Sequence, residues 1–192
     1  MRAGLAEPVL GSQQIFRAVL DAMAHPGRIV SVPPPLETPP PLWPATASVC
    51  LTLVDRETPV WLDAAARLAD VHQYLRFHCG CPIATEPKDA RFAVVADPSE
   101  MLSLDAFDPG SDEYPDRSAT VIVQVEELRA NGTLRFTGPG IEGETRLDVR
   151  CLSEAFWESV HRNHALFPRG VDLILAAGST MVALPRSTRV DD

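Results

Sequence analysis

Residues 133–143 read TLRFTGPGIEG, and the fold turns on how that stretch is read. It holds a G-x-G-x-x-G at Gly138, Gly140 and Gly143. Between a strand and a helix that opens inside it, this spacing makes a dinucleotide-binding unit, with the pyrophosphate on the helix N-terminus. A strand, TLRFT, does precede it. The next residues, ETRLDVRCL (144–152), are strand-like or irregular, and a helical pattern resumes only near Ser153. The preceding strand itself reads as the second arm of a hairpin. TVIVQVEEL (120–128) and TLRFTG (133–138) flank Ala130-Asn131-Gly132, and Asn-Gly between β-rich runs is a strong hairpin signal. No second strand ending in an acidic residue stands at the expected distance. The glycines are therefore read as a turn that needs positive φ, with Pro139 fixing its neighbour.

Outward from that turn, helical and strand patterns interleave. SQQIFRAVLDAMA (12–24) places Ile15, Phe16, Val19, Leu20 and Met23 on one helical stripe, with Ser12 as N-cap and His25-Pro26-Gly27 as the stop. GRIVSV (27–32) reads as a short strand. PPPLETPPPLWP (33–44) is an extended surface loop. ATASVCLTLVD (45–55) and LADVHQYLRFHCG (68–80) read as helices around the strand TPVWL (58–62). RFAVVAD (91–97) is a strand, SEMLSLDAF (99–107) a short helix and PGSDEYPDRSA (109–119) a polar loop. LSEAFWESVHRNHALF (152–167) is a helix capped by Ser153. VDLILAAG (171–178) is a buried strand, and STMVALPRSTRV (179–190) is its hairpin partner through Gly178-Ser179. The order predicts a single α/β domain over residues 1–192, a mixed sheet with helices on both faces.

Composition narrows the function. The 192 residues carry 26 acidic and 17 basic side chains, a net charge of −9. That balance argues against a nucleic-acid binder or a ligand of anionic membranes. No stretch is apolar enough to span a bilayer, and MRAGLAEPVL has no signal-peptide pattern, so a cytoplasmic protein with its four cysteines reduced is expected. Sixteen of the basic residues are arginine, and Lys88 is the one lysine. Schiff-base chemistry would have to use it.

The catalytic templates fail one after another. His72, His78, Cys79 and Cys81 are dense in possible ligands, but Cys79-Gly80-Cys81 lacks zinc-knuckle spacing and has no second pair. Glu158-x-x-His161 is a single copy of a motif that di-iron bundles need twice. Neither a G-x-S-x-G nor a Walker loop is present. The most polar junction is at the end of the chain. His164, Arg169 and Asp172 surround the entrance to the buried strand 171–178, and Arg186 falls near Asp172 if the two last strands pair. They form either a structural ion pair or an anion clamp, which guanidinium geometry suits. The second reading would make the chain a stand-alone anion- or nucleotide-binding enzyme.

Six segments in order, FRAVLDAMAHPGRIV (16–30), TLVDRETPVWL (52–62), LRFHCGCPI (75–83), TLRFTGPGI (133–141), FPRGVDLIL (167–175) and LPRSTRV (184–190), resemble the PhnH family. These are subunits of the bacterial carbon–phosphorus lyase core complex, and the resemblance spans nearly the whole chain. It implies an accessory subunit that acts with other core subunits, which form ribose 1-phosphonate 5-triphosphate from ATP and a phosphonate before a partner breaks the carbon–phosphorus bond. It also implies a homodimer when isolated. The implied fold is related to the large domain of pyridoxal-phosphate-dependent transferases, without that cofactor. No catalytic residue, metal or cofactor comes with it. Among polar positions, His25, Thr137, Asp172 and Arg186 lie in the matched segments. With His164 and Arg169, they are the candidate ligand- or partner-binding residues.

Overall fold

The computed structural model describes residues 2–191. A six-stranded sheet forms its centre, in the order β1 (Val30–Ser31), β8 (Thr180–Leu184), β7 (Asp172–Ala177), β4 (Thr120–Gln124), β3 (Phe92–Val95), β2 (Val60–Leu62). Strands β2, β3, β4 and β7 run parallel, and β8 runs against both β7 and β1. The sheet is thus mixed, in a chain that alternates helix and strand. Alternate residues of each central strand face opposite layers, both of them apolar, so the strands read as unbroken hydrophobic runs. Val60, Leu62, Val94, Ile122 and Ile174 meet helices α1 (Pro8–Ala24), α2 (Pro44–Leu53) and α3 (Ala69–His78). Trp61, Val95, Val121, Val123 and Leu175 face the other way. They meet α4 (Glu154–Ala165) and a second sheet of three strands, β6 (Thr145–Val149), β5 (Leu128–Thr137) and β9 (Arg189–Asp191). Among the described residues no helix is long and apolar enough to cross a membrane.

Several local expectations give way to tertiary context. Asn131-Gly132 is not a hairpin turn. Both edges of β4 are taken by β3 and β7, so the next segment cannot fold back on it. Instead β5 runs straight through Asn-Gly and pairs with β6, with Ala130 and Leu134 both opposite Leu147. The intervening residues form a β-bulge, with Asn131 at φ 61° and the Asp148 carboxylate accepting from the Thr133 N–H at 2.7 Å. TLRFT is therefore the first arm of a hairpin, and the G-x-G-x-x-G is its loop to β6.

SEMLSLDAF forms two separate 3-10 turns, Pro98–Glu100 and Leu104–Ala106, rather than one helix. The side chains of Asp97 and Ser103 cap these turns, and such local bonds compete with a continuous helix. Helix α1 starts at Pro8, one turn before Ser12, because Pro8 suits the first helical position. Its buried residues are Ile15, Val19 and Ala22, whereas Phe16 and Leu20 face outward. The last strand also divides. Pro185 starts a turn closed by Thr188 N–H to its carbonyl (2.8 Å), which delivers β9 to the second sheet.

Candidate functional site

The hairpin loop after β5 packs against the end of α1. Gly140, at φ 84°, sits so close to the Ala24 carbonyl oxygen that a Cβ would overlap it. Gly27, at φ 81°, gives the same freedom opposite the Thr145 methyl. A Cβ on Gly138 would stand 2.9 Å from the Ser187 carbonyl. The His-Pro-Gly stop, the Gly-Pro-Gly loop and the Pro-Arg-Ser turn thus meet at one junction, though far apart in sequence. Beside it lies an open cavity of about 500 Å³ whose walls include His25, Arg28, Gly140, Glu144 and Arg146. Its charges other than that of Glu142 are paired. His25 Nδ1 lies 3.0 Å from the Asp21 carbonyl, Arg28 reaches Asp21 Oδ1 at 3.3 Å and Arg146 reaches Glu144 at 3.0 Å. The hydrogen bond from Arg146 holds the Glu144 carboxyl below the usual range. Thr137 is not in this wall. It is half-buried in the β5–β9 ladder, opposite Arg189.

The second junction gathers the other four candidates. Asp172 opens β7, and its carboxylate accepts from Arg186 Nη2 at 2.6 Å, Nε at 3.1 Å and the backbone N–H at 2.8 Å. Arg186 Nη1 donates to the Pro115 carbonyl. Every guanidinium nitrogen of Arg186 is therefore engaged within the chain. His164 Nδ1 meets the Arg186 carbonyl at 3.1 Å. Arg169 Nε lies 2.9 Å from Asp112 Oδ1, an ion-pair contact whose angle makes no hydrogen bond. Buried Asn163 holds the approach to β7, accepting from the Val171 N–H at 2.8 Å and donating to its carbonyl at 2.9 Å. This clasp stands at the amino ends of the parallel strands, since Asp172 is level with Thr120 and Phe92. Ligands of open parallel sheets gather at the opposite, carboxyl ends.

At those carboxyl ends stand two buried polar residues that sequence reasoning passed over. Asp63 follows β2, and its carboxylate accepts three backbone N–H groups, Ala66 and Ala96 at 2.8 Å and Asp97 at 2.9 Å. Gln124 ends β4, accepts from the Trp43 N–H at 2.6 Å and donates to the Pro41 carbonyl at 3.0 Å. It thereby fastens the proline-rich loop over the end of β4. The available signals were an acid directly after the apolar VWL and a lone amide inside VIVQV. A pyridoxal cofactor does not fit this arrangement. Lys88 is exposed on a turn just before β3, at the amino ends of the parallel strands, away from their carboxyl ends.

Cys50, Cys79 and Cys81 are free and buried where α2 meets the end of α3, while Cys151 is exposed. Burial pushes the Cys50 thiol up and the Cys79 thiol up to about 12. Among the described residues no group of three or more His, Cys, Asp or Glu is placed to hold a metal.

Fold and junctions together define an α/β protein whose polar clusters are largely tied into its own framework. The family model described as bacterial phosphonate metabolism protein (PhnH) matches residues 3–191. A Rhizobium meliloti (strain 1021) protein, alpha-D-ribose 1-methylphosphonate 5-triphosphate synthase subunit PhnH, is 36% identical over 186 residues, covering 97% of this chain and 93% of the relative. The putative C-P lyase subunit protein HtxG of Stutzerimonas stutzeri is 32% identical over 181 residues, covering 93% and 85%. The chain belongs to the PhnH family of bacterial phosphonate metabolism proteins.

Proposed function

We propose that this chain is an accessory subunit of a carbon–phosphorus lyase assembly. In that role it supports formation of ribose 1-phosphonate 5-triphosphate from ATP and a phosphonate, ahead of carbon–phosphorus cleavage by a partner. The observation that carries this reading is the outer face of α1. Val9, Leu10, Phe16 and Leu20 are 82%, 58%, 46% and 51% exposed. Positions 9, 16 and 20 share one helical face, opposite buried Ile15 and Ala22. A surface helix ordinarily turns polar residues to water, so an outward apolar stripe marks a contact surface. In this reading α1 docks on another subunit, or on a second copy when the protein is isolated.

The chain works as one PhnH-like unit, in the cytoplasm. Its mixed sheet with helices on both faces is the layout we relate to the large domain of pyridoxal-phosphate-dependent transferases. The exposed position of Lys88 supports a role without that cofactor. His25, Thr137, His164, Arg169, Asp172 and Arg186 then serve to hold the surfaces offered to partners.

Co-expression of the tagged chain with the remaining subunits of such an assembly tests the reading. The wild-type chain should bring the partners down together, burying at least roughly 1,000 Å² in the contact. The double variant Phe16→Glu, Leu20→Glu should lose them while keeping its unfolding midpoint. A wild-type chain that captures none of them overturns the proposal.

A further inference from the structure

A cleft at the outer edge of β2 differs in charge from the cavities near α1 and the second sheet. It is open, about 460 Å³, and lined by Arg56, His72, Arg76, Gly80, Cys81 and the Pro82-Ile83 segment. Residues 82–84 extend the sheet there, since Val60 N–H donates to the Pro82 carbonyl and Ala84 N–H to the Val60 carbonyl. His72 and Arg76, four residues apart, rise from the same face of α3. Arg56 comes from the loop before β2. Gly80, at φ 69°, lets its stem lie across the floor, because a Cβ there would stand 2.9 Å from Arg56 Cγ.

Among the described residues no carboxylate lines the cleft. Arg28, Arg91, Arg135, Arg146, Arg162 and Arg186 are each paired with an acid. Among the described residues Arg56 and Arg76 form no such pair. The cavities beside Arg2 and Arg91 contrast with this one. The first includes Glu37 and Asp70, the second Asp55, Glu57 and Asp116. Of the two acids flanking Arg56 in sequence, Asp55 is turned to its own loop, accepting from the Glu57 N–H at 2.9 Å, and Glu57 lines the cavity beside Arg91. Burial, helped by the negative charge of nearby Asp55, raises the Cys81 thiol, so it adds no anion to the cleft at neutral pH.

His72 walls the cleft, but among the described residues its Nε2 is shielded from solvent and has no hydrogen-bond partner, so the groups left to meet a ligand are the two guanidinium forks. On a chain of net charge −9, two such forks at one cleft suit a compact polyoxygen anion.

We propose that this cleft binds a small phosphorus oxyanion, either a phosphonate or a phosphate dianion. The guanidinium groups of Arg56 and Arg76 grip its oxygens, and His72 walls the cleft beside them. The proposal concerns the isolated chain and is independent of assembly, so loss of partner capture leaves it standing.

Isothermal titration of the full chain with methylphosphonate and, separately, with inorganic phosphate tests it. Saturable binding with Kd of about 1 mM or tighter is expected for at least one of them. Arg56→Gln with Arg76→Gln should weaken it about tenfold or more. Both arginines are exposed, so the double variant should keep its melting temperature. Tighter binding of methylphosphonate assigns the cleft to a phosphonate, and tighter binding of phosphate assigns it to a phosphate. No saturable binding up to about 10 mM, or binding unchanged in the arginine double variant, overturns the proposal.

Discussion

Gly140 and Gly143 lie in one hairpin loop, both at positive φ, yet their surroundings differ. A methyl at 140 would strike the Ala24 carbonyl, whereas at 143 it would meet nothing within 4 Å among the described residues. Gly143→Ala therefore faces only the left-handed backbone cost, about 1 kcal/mol. Gly140→Ala must also push the loop off α1, for a loss of about 2–3 kcal/mol. Urea unfolding of the two variants measures the difference. Equal losses would remove the case for a packing role of the glycine motif. Asp63 is the other decisive residue. Asp63→Ala strands three backbone N–H groups between the ends of β2 and β3, and a loss of about 3 kcal/mol or more is expected in the same assay. The nearness of Asp172 and Arg186 was legible in the sequence because a two-residue turn brings their strands together, while their pairing came from the structure. Asp63 was not, because the amides of Ala96 and Asp97 are 33 and 34 residues away.

At the scale of elements, the boundary between α2 and α3 makes stability depend on alkaline pH. The Cys79 thiol ionises near 9.0 in an ordinary setting and near 12 in the folded protein, because burial disfavours the thiolate. Tyr74 moves from 10.0 to about 12, and Cys50 and Cys81 move upward as well. Above pH 9 the unfolded chain sheds protons that the folded chain retains. Unfolding then becomes easier as pH rises, through the window from about 9 to 12. The urea midpoint should fall steadily there, and Cys79→Ala should make the fall shallower. A midpoint flat to pH 11 would contradict this account. Elements differ in how far local sequence governs them. Ser153 caps α4 as its position implies, accepting from the Phe156 N–H at 3.2 Å. Asn131-Gly132, with an equally strong local preference, becomes a bulge because the strand before it has no free edge.

For the whole molecule, α1 is the element with two apolar faces. Ile15, Val19 and Ala22 secure it to the chain's own sheet and helices. Val9, Phe16 and Leu20 contribute little to that core, being largely exposed. Phe16→Glu with Leu20→Glu should therefore change the unfolding free energy by only about 0.5 kcal/mol, a bound that separates lost assembly from lost folding. A large drop in stability would place these residues in the core instead. The periodicity of 12–24 located the helix and its apolar residues, but it put Phe16 and Leu20 on the same stripe as Ile15. Which part of a broad apolar arc meets the core depends on the sheet beneath it.

By itself the sequence determined the alternation of helices and buried strands, the His-Pro-Gly stop, the terminal hairpin that brings Asp172 near Arg186, and the segments that mark the family. Each of these rests on a residue's conformational preference or on neighbours a turn away. Tertiary structure alone decided that residues 128–137 join a second sheet, that Gln124 fastens a loop from Pro41, and that Arg56 meets His72 and Arg76 at one cleft. Those outcomes depend on which strand edges stay free and on how buried polar groups far apart in sequence find partners. Such long-range competition leaves no trace in local pattern.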